Sequence, residues 1–421
     1  MKRLLYIANP FPPSASGGTA RHLRFLRHLP ACGWEATVLT VRVQGPVPDP
    51  PDVRIERAGA LDLERLYALA RRVAAPKRGQ PVAGTATTTA APSQRHRTSR
   101  RGAIEEWLQI PDVYVSWIAP AVLLGRRLLR EQRYDAIFSS YPRGSAHLVA
   151  AELAKESGIP WVADYRDPWR TYEFRHYPTR WHKALNEWLE SRALSQASAV
   201  TVINEPMADE MRRLHPGQAA MTTVIPNGYD PEEEIDEVDL GRGFWIVYTG
   251  RIYGRSEQVN RFLDAFAALP DDVHILFLGV GGSEITARCA ALGIADRVLI
   301  EPFAPRARAL GVQRAADALL LITGLQRGTM TGKVFEYLAS ERPVFAQTPR
   351  DSVARELIDE AGAGRCVAPD EPLGPALAAF VADVRGGRLK PPDLAVVHRF
   401  DGRVLTRQLA EILDSLADER R

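Results

Sequence analysis

Leu4 to Ala8, Ala36 to Val41, Ala136 to Ser139, Trp161 to Ala163 and Ala199 to Ile203 are short, mostly apolar runs, and segments with helical periodicity such as Arg21 to Leu29 lie between them. That alternation is the rhythm of a parallel sheet covered by helices. After Pro226-Asn-Gly-Tyr-Asp230 and the acidic stretch Glu232 to Asp239 the rhythm restarts at Trp245 to Tyr248. It continues through His274 to Leu278, Val298 to Ile300, Ala318 to Ile322 and Val344 to Ala346. The expected fold class is therefore α/β, with two doubly wound parallel-sheet domains over residues 1–235 and 236–400. Val404, Leu405, Leu409, Ile412, Leu413 and Leu416 recur at helical spacing, so residues 401–421 are expected to form an amphipathic helix that packs on a domain surface.

One stretch breaks the pattern. Ala75 to Ala103 is rich in Pro, Thr, Ala, Gly and Arg, lacks periodicity and is expected to be a disordered insertion. Its Arg95-His-Arg-Thr-Ser-Arg-Arg101 cluster suits contact with anionic lipid, and a solvated charge run is the simpler reading.

Composition narrows the class. With 421 residues and 45% hydrophobic content the chain can bury two cores. A net charge of +3 supplies no global electrostatic case for nucleic acid. Cys32, Cys289 and Cys366 are far apart, which argues against a zinc site or a disulfide framework and fits a reducing cytoplasm. No apolar run reaches the ~18 residues that span a bilayer, so any membrane association is expected to be peripheral, at the inner face.

Candidate chemistry clusters after strands. Gly17 and Gly18 precede a helix whose apolar face includes Leu23, Leu26 and Leu29. Amides there can hold an anion, or the diglycine can simply supply a flexible turn. Asp164-Tyr-Arg-Asp-Pro-Trp169 follows a buried strand and sets two carboxylates and a guanidinium at the sheet edge that ligands favour. An Asp-Arg ion pair that ties the loop down is the competing interpretation, and Tyr165 and Trp169 suit either sugar stacking or the core.

In the second half, Tyr248-Thr-Gly-Arg251 again places glycine and arginine after a strand, and the guanidinium fork of Arg251 matches phosphate oxygens. Arg255 is a weaker candidate. Gly279-Val-Gly-Gly282 with Glu301 superficially matches a dinucleotide fingerprint, but its third glycine is missing and Pro302 directly follows the acid. Thr331 is expected to cap a helix that carries Lys333, suited to phosphate, and Glu336, suited to a ribose diol. A solvated Lys333–Glu336 pair is the bland alternative, and the neighbouring Phe335, Leu338 and Ala339 argue for burial instead.

Taken in order, Phe11-Pro-Pro with Gly17-Gly18, Ile159 to Trp169, Ile225-Pro-Asn-Gly-Tyr-Asp230, Thr249-Gly-Arg251 and Lys333-Val-Phe-Glu-Tyr-Leu-Ala339 followed by Arg342-Pro-Val344 make the chain resemble the retaining, nucleotide-sugar-dependent glycosyltransferases of family 4. The resemblance covers nearly the whole chain. It implies the GT-B architecture, two Rossmann-like domains facing a central cleft, with acceptor bound by the first and nucleotide sugar by the second. No metal and no cofactor are implied, since the nucleoside diphosphate sugar is a substrate.

The same resemblance implies site residues. Gly17, Gly18, Arg251, Gly281, Phe303, Thr331, Gly332, Lys333 and Glu336 are expected on the donor, and Tyr141, Asp164, Arg166, Asp167 and Trp169 on the acceptor side. Arg251, Lys333, Asp164 and Arg166 are the expected catalytic set, the cations stabilising charge on the leaving diphosphate. Two departures stand out: Gly328 replaces the first glutamate of the family's paired-acid motif, and Arg166 falls near its usual histidine. Transfer of a hexose-type sugar to a glycan precursor, lipid-linked carrier or small molecule is the leading expectation. An epimerase or hydrolase of the same fold and a non-catalytic sugar-nucleotide-binding protein are the alternatives.

Overall fold

The computed structural model describes residues 1–14, 18–45, 47–60, 109–171, 177–252, 256–281 and 283–420. The expected insertion at 75–103, together with Gly17 and Arg255, lies outside them. The chain forms two compact units: Met1–Ile203 with Met207–Val224 and Leu409–Arg421, and Asn204–Pro206 with Ile225–Gln408.

The first unit holds a seven-stranded parallel sheet in the order β3-β2-β1-β4-β5-β6-β7. Its strands are β1 (Lys2–Ala8), β2 (Trp34–Val41), β3 (Arg54–Ala58), β4 (Ala136–Tyr141), β5 (Trp161–Tyr165), β6 (Ala199–Val202) and β7 (Thr222–Val224). β1 lies between β2 and β4, with Leu4 opposite both Ala36 and Ala136, so the order of strands reverses at β1. In an open sheet the crevice outside the carboxyl ends of the strands at such a reversal is where ligands sit.

The second unit repeats the plan with six parallel strands in the order β10-β9-β8-β11-β12-β13. They are β8 (Phe244–Thr249), β9 (Val273–Leu278), β10 (Val298–Glu301), β11 (Ala318–Ile322), β12 (Val344–Gln347) and β13 (Gly364–Val367). Alternate residues serve opposite faces. Ile246, Tyr248, Ile275 and Phe277 enter one core cluster, while Val247, Leu276 and Leu278 enter another. Helices cover both faces, which is why these strands read as continuous apolar runs. The reversal here falls between β8 and β11.

β3, β7 and β13 carry no apolar run that marks them, and each is an edge strand. An edge strand has one neighbour and less burial, so Arg54-Ile-Glu-Arg-Ala58 can be charged and Thr222-Thr-Val224 can be very short.

The closing helix Gly402–Glu419 buries Leu405, Leu409, Leu413 and Ala417, while Val404 is exposed. Its later turns are tied to the amino terminus. Lys2 Nζ donates to Asp414 at 2.9 Å and to Asp418 at 3.0 Å, and Trp34 Nε1 donates to Asp414 at 3.1 Å.

Candidate functional site

The second unit gathers most of the expected donor residues at the carboxyl ends of its strands. β8 ends in Thr249, followed by Gly250, whose φ of +89° is a left-handed conformation that glycine adopts without strain. The helix Lys333–Ala339, between β11 and β12, begins near the same point. Lys333 Nζ donates to Tyr248 Oη at 2.8 Å and lies 4.2 Å from the Tyr248 ring centroid, a cation–π contact. Tyr248 Oη in turn donates to the Arg251 carbonyl at 3.0 Å. A Cβ on Gly250 would come within 2.8 Å of Lys333 Cε, so the bare backbone makes room for the lysine stem. The Arg251 side chain is exposed, and among the described residues no carboxylate pairs with it in the structure. Lys333 Nζ also reaches the Arg251 carbonyl at 3.5 Å, so the lysine meets the Arg251 backbone at the end of β8.

Glu336 faces another way. Its Oε1 accepts from Arg306 Nη1 at 2.9 Å and its Oε2 from Gln313 Nε2 at 3.4 Å, and Arg306 also pairs with Glu233. Burial alone would lower the affinity of Arg306 for its proton, and the Glu336 and Glu233 carboxylates outweigh that and raise it. The anticipated Lys333–Glu336 competition therefore resolves with separate partners for each. Gln313 also donates to Thr249 Oγ1 at 2.9 Å, and Tyr337 Oη accepts from the Thr249 amide at 3.0 Å. Burial pushes the Tyr337 phenol up to about 12.

Thr331 does not cap the helix with its side chain. Gly332 holds the N-cap position, and Thr331 Oγ1 is buried without a hydrogen-bond partner among the described residues. Gly281 is exposed beyond β9, and Phe303, beyond β10, is 65% exposed. The glycine cluster follows β9 and not the central strand β8, and Glu301 is held by Arg308 Nη2 at 2.8 Å. A dinucleotide fingerprint needs its glycines after the central strand and a free acid, and neither condition is met. Gly328, where the motif's first glutamate is missing, has its carbonyl hydrogen-bonded by Asn204 Nδ2 at 2.9 Å within this unit.

In the first unit the expected acceptor-side residues separate into a buried group and an accessible one. Asp164 is fully buried. It accepts from Arg21 Nη2 at 2.7 Å, Arg21 Nε at 3.1 Å, Ser140 Oγ at 2.7 Å and Thr201 Oγ1 at 2.7 Å. Burial pushes its carboxyl up, but the Arg21 charge and these hydrogen bonds prevail and hold it below the ordinary value. Four bonds occupy its lone-pair sites, which corrects the expectation that it acts on a ligand. Its ion-pair partner is Arg21 of the helix Thr19–His28 and not Arg166.

Tyr141 and Trp169 are core residues as well. Their rings stack at 5.5 Å, and Trp169 Nε1 donates to Asn186 Oδ1 at 2.9 Å. No face of either ring is open to an acceptor, which corrects their assignment to that surface.

Arg166 and Asp167 are half-buried and pair at 3.1 Å. The Arg166 guanidinium packs directly on Gly18, where a side chain would collide with it, so these two expected residues are brought together at the start of the helix Thr19–His28. One turn on, His22 Nδ1 and Tyr6 Oη share a hydrogen bond of 2.9 Å. Burial, reinforced by the Arg166 charge, lowers the His22 imidazole to about 3.

Tyr248 as the seat of Lys333, Arg306 and Gln313 as the partners of Glu336, Arg21 as the partner of Asp164, and Asn204 carried no signal of these roles along the chain. Each acts through a neighbour more than twenty residues away.

Residues 16–228 match the glycosyl transferase 4-like domain, and residues 243–383 match the glycosyl transferases group 1 domain. No curated protein matches the chain in sequence. Among solved structures, HepE of Anabaena in complex with UDP and glucose is similar with a TM-score of 0.66 at 17% identity, covering 99% of this chain and 100% of that one. Sucrose-phosphate synthase from Thermosynechococcus elongatus is similar with a TM-score of 0.63 at 16% identity, over 100% of this chain and 97% of that one. The lipopolysaccharide outer core galactosyltransferase WaaB in its apo form gives 0.59 at 14% identity, over 99% of both chains. At such identities the likeness establishes the fold, the two parallel-sheet α/β domains of the GT-B type.

Proposed function

The chain belongs to the glycosyl transferase 4-like family, and from that premise we propose that it transfers a hexose-type sugar, with retention, from a nucleoside diphosphate to a glycan, lipid-linked or small-molecule acceptor. The observation that carries the donor reading is the seat of Lys333 on Tyr248 beside the exposed Arg251, at the carboxyl end of the central strand β8. Paired cations at that edge suit a diphosphate. The UDP-glucose bound by HepE supports the same donor class.

In this reading the acceptor hydroxyl oxygen bonds to the anomeric carbon as the carbon–oxygen bond to the diphosphate breaks. The hydroxyl proton passes to a leaving phosphate oxygen on the same face of the sugar. Arg251 and Lys333 stabilise the charge that grows on the diphosphate, which is the work a metal ion would otherwise do. Preorganisation favours this role, since Lys333 is already held by the Tyr248 ring and hydroxyl. Glu336, fixed by Arg306, accepts from the ribose diol, Thr331 Oγ1 with Gly332 meets the donor, and Gly281 and the exposed Phe303 accommodate the base. Arg166, packed on Gly18 within the first unit, is the cation proposed for the acceptor side. Asp164 serves as a positioning residue that holds Arg21, and no protein nucleophile is assigned. Location in the cytoplasm fits three free thiols.

Calorimetry with UDP, GDP and ADP, followed by product analysis with the matching sugar nucleotide, tests this reading. Binding of one diphosphate and a glycoside of retained configuration are expected. Absence of nucleotide binding, or release of free or epimerised sugar as the sole product, overturns it.

A further inference from the structure

The tryptophans of the described residues divide sharply. Trp34, Trp117, Trp161 and Trp169 are buried and Trp245 is half-buried, whereas Trp181 is 74% and Trp188 54% exposed. Both belong to the helix Arg180–Leu194, and Leu185 between them is 47% exposed. Positions i, i+4 and i+7 lie on one side of a helix, so the three side chains form a single stripe. His182, Asn186, Glu190, Ala193 and Leu194 occupy the buried side and anchor the helix in the first unit.

The charges around the stripe have one prevailing sign. Arg180 and Arg192 are exposed beside it, and the Arg192 guanidinium lies 5.4 Å from the Trp188 ring centroid. Of the two acids on the helix, Glu190 is buried against Arg170 at 2.8 Å, and Glu187 lies 3.9 Å from Lys183. Exposed indoles rimmed by cations suit neither bulk water nor a neutral protein groove. They suit the boundary between headgroups and acyl chains, where an indole buries its ring and keeps its N–H wet while Arg and Lys meet lipid phosphates.

We propose that the Trp181–Leu185–Trp188 face docks the protein on an anionic phospholipid bilayer. The contact is interfacial, since no helix among the described residues is long and apolar enough to cross a membrane. A second copy of the chain is disfavoured as the occupant, because pairing this face with itself brings Arg180 and Arg192 against their like. The inference stands apart from the sugar-transfer reading, because none of these residues is placed in the donor site and docking needs no nucleotide.

The test is sedimentation of the full chain with vesicles of phosphatidylcholine containing phosphatidylglycerol, and with phosphatidylcholine alone, with tryptophan emission recorded. Binding to the anionic vesicles, a blue shift and weakening by salt are expected. A Trp181→Ser/Trp188→Ser variant should lose roughly tenfold or more in partitioning with an unchanged thermal transition. Arg180→Glu/Arg192→Glu should lose about tenfold on anionic vesicles while keeping both indoles. No binding to either vesicle, or binding that the folded serine variant retains, overturns the proposal. So does a concentration-dependent dimer that the serine variant abolishes without any vesicle binding.

Discussion

Gly250 and Lys333 fit together only because one of them has no side chain: a Cβ at Gly250 would stand 2.8 Å from Lys333 Cε, at a residue whose φ is +89°. Gly250→Ala is therefore expected to act twice. The left-handed backbone costs about 1 kcal/mol with alanine. The displaced lysine stem also weakens nucleoside diphosphate binding. Thermal unfolding reads the first effect and calorimetry the second, and undiminished affinity in the folded variant would remove Lys333 from the donor site.

Arg251 and Glu336 should separate in their side effects. Arg251 is exposed, so Arg251→Ala is expected to leave stability within about 0.5 kcal/mol and to lose ~1 to 3 kcal/mol of diphosphate binding. Glu336→Ala removes one of two carboxylates from Arg306 and should weaken binding by a similar amount while also lowering the melting temperature. Calorimetry beside a thermal scan distinguishes the two patterns.

The Arg21–Asp164 pair is buried on both sides. Arg21→Met leaves the carboxylate without its cation, and a loss of about 3 to 5 kcal/mol is expected in urea unfolding at pH 7. Asp164 has a depressed folded value, so its stabilisation is present above the ordinary carboxyl range and is lost as pH falls through the folded value. Asp164→Asn should flatten that acid limb, and an unchanged limb would show that the pair contributes nothing to it.

His22 and His147 are buried and lowered to about 3 from an ordinary 6.5, chiefly by burial. A depressed histidine binds its proton in the unfolded chain first. Stability is then full above about pH 6.5 and declines as pH falls toward 3, by up to about 1.4 kcal/mol per pH unit for each ring. His147→Gln, which can keep a partner for Ser139 Oγ, should reduce the slope between pH 6 and 4 by about one proton's worth. Urea titrations at stepped pH measure it.

Central strands were legible in the chain because burial on both faces demands uninterrupted apolar residues: β1, β8 and β11 each announce themselves. Edge strands β3, β7 and β13 were not, because one-sided pairing tolerates charge and brevity. Glycine and arginine after a strand, as in Thr249-Gly250-Arg251, were legible too, while the left-handed φ of +89° at Gly250 came from the structure.

The identity of polar neighbours was another matter. Asp164, Tyr141 and Trp169 look alike on the page whether they face a ligand or the core, since aromatic and charged residues serve both. The tertiary structure decided for the core by supplying Arg21, Ser140 and Thr201 to one and stacking the other two. It decided the opposite for Trp181 and Trp188, which it left in water. Apolar periodicity is local and survives in one dimension, so the sequence by itself determined two parallel-sheet units and their central strands. Hydrogen-bond satisfaction depends on groups brought together from distant positions, so only the folded chain could assign Lys333 to Tyr248, Glu336 to Arg306 and Asp164 to Arg21.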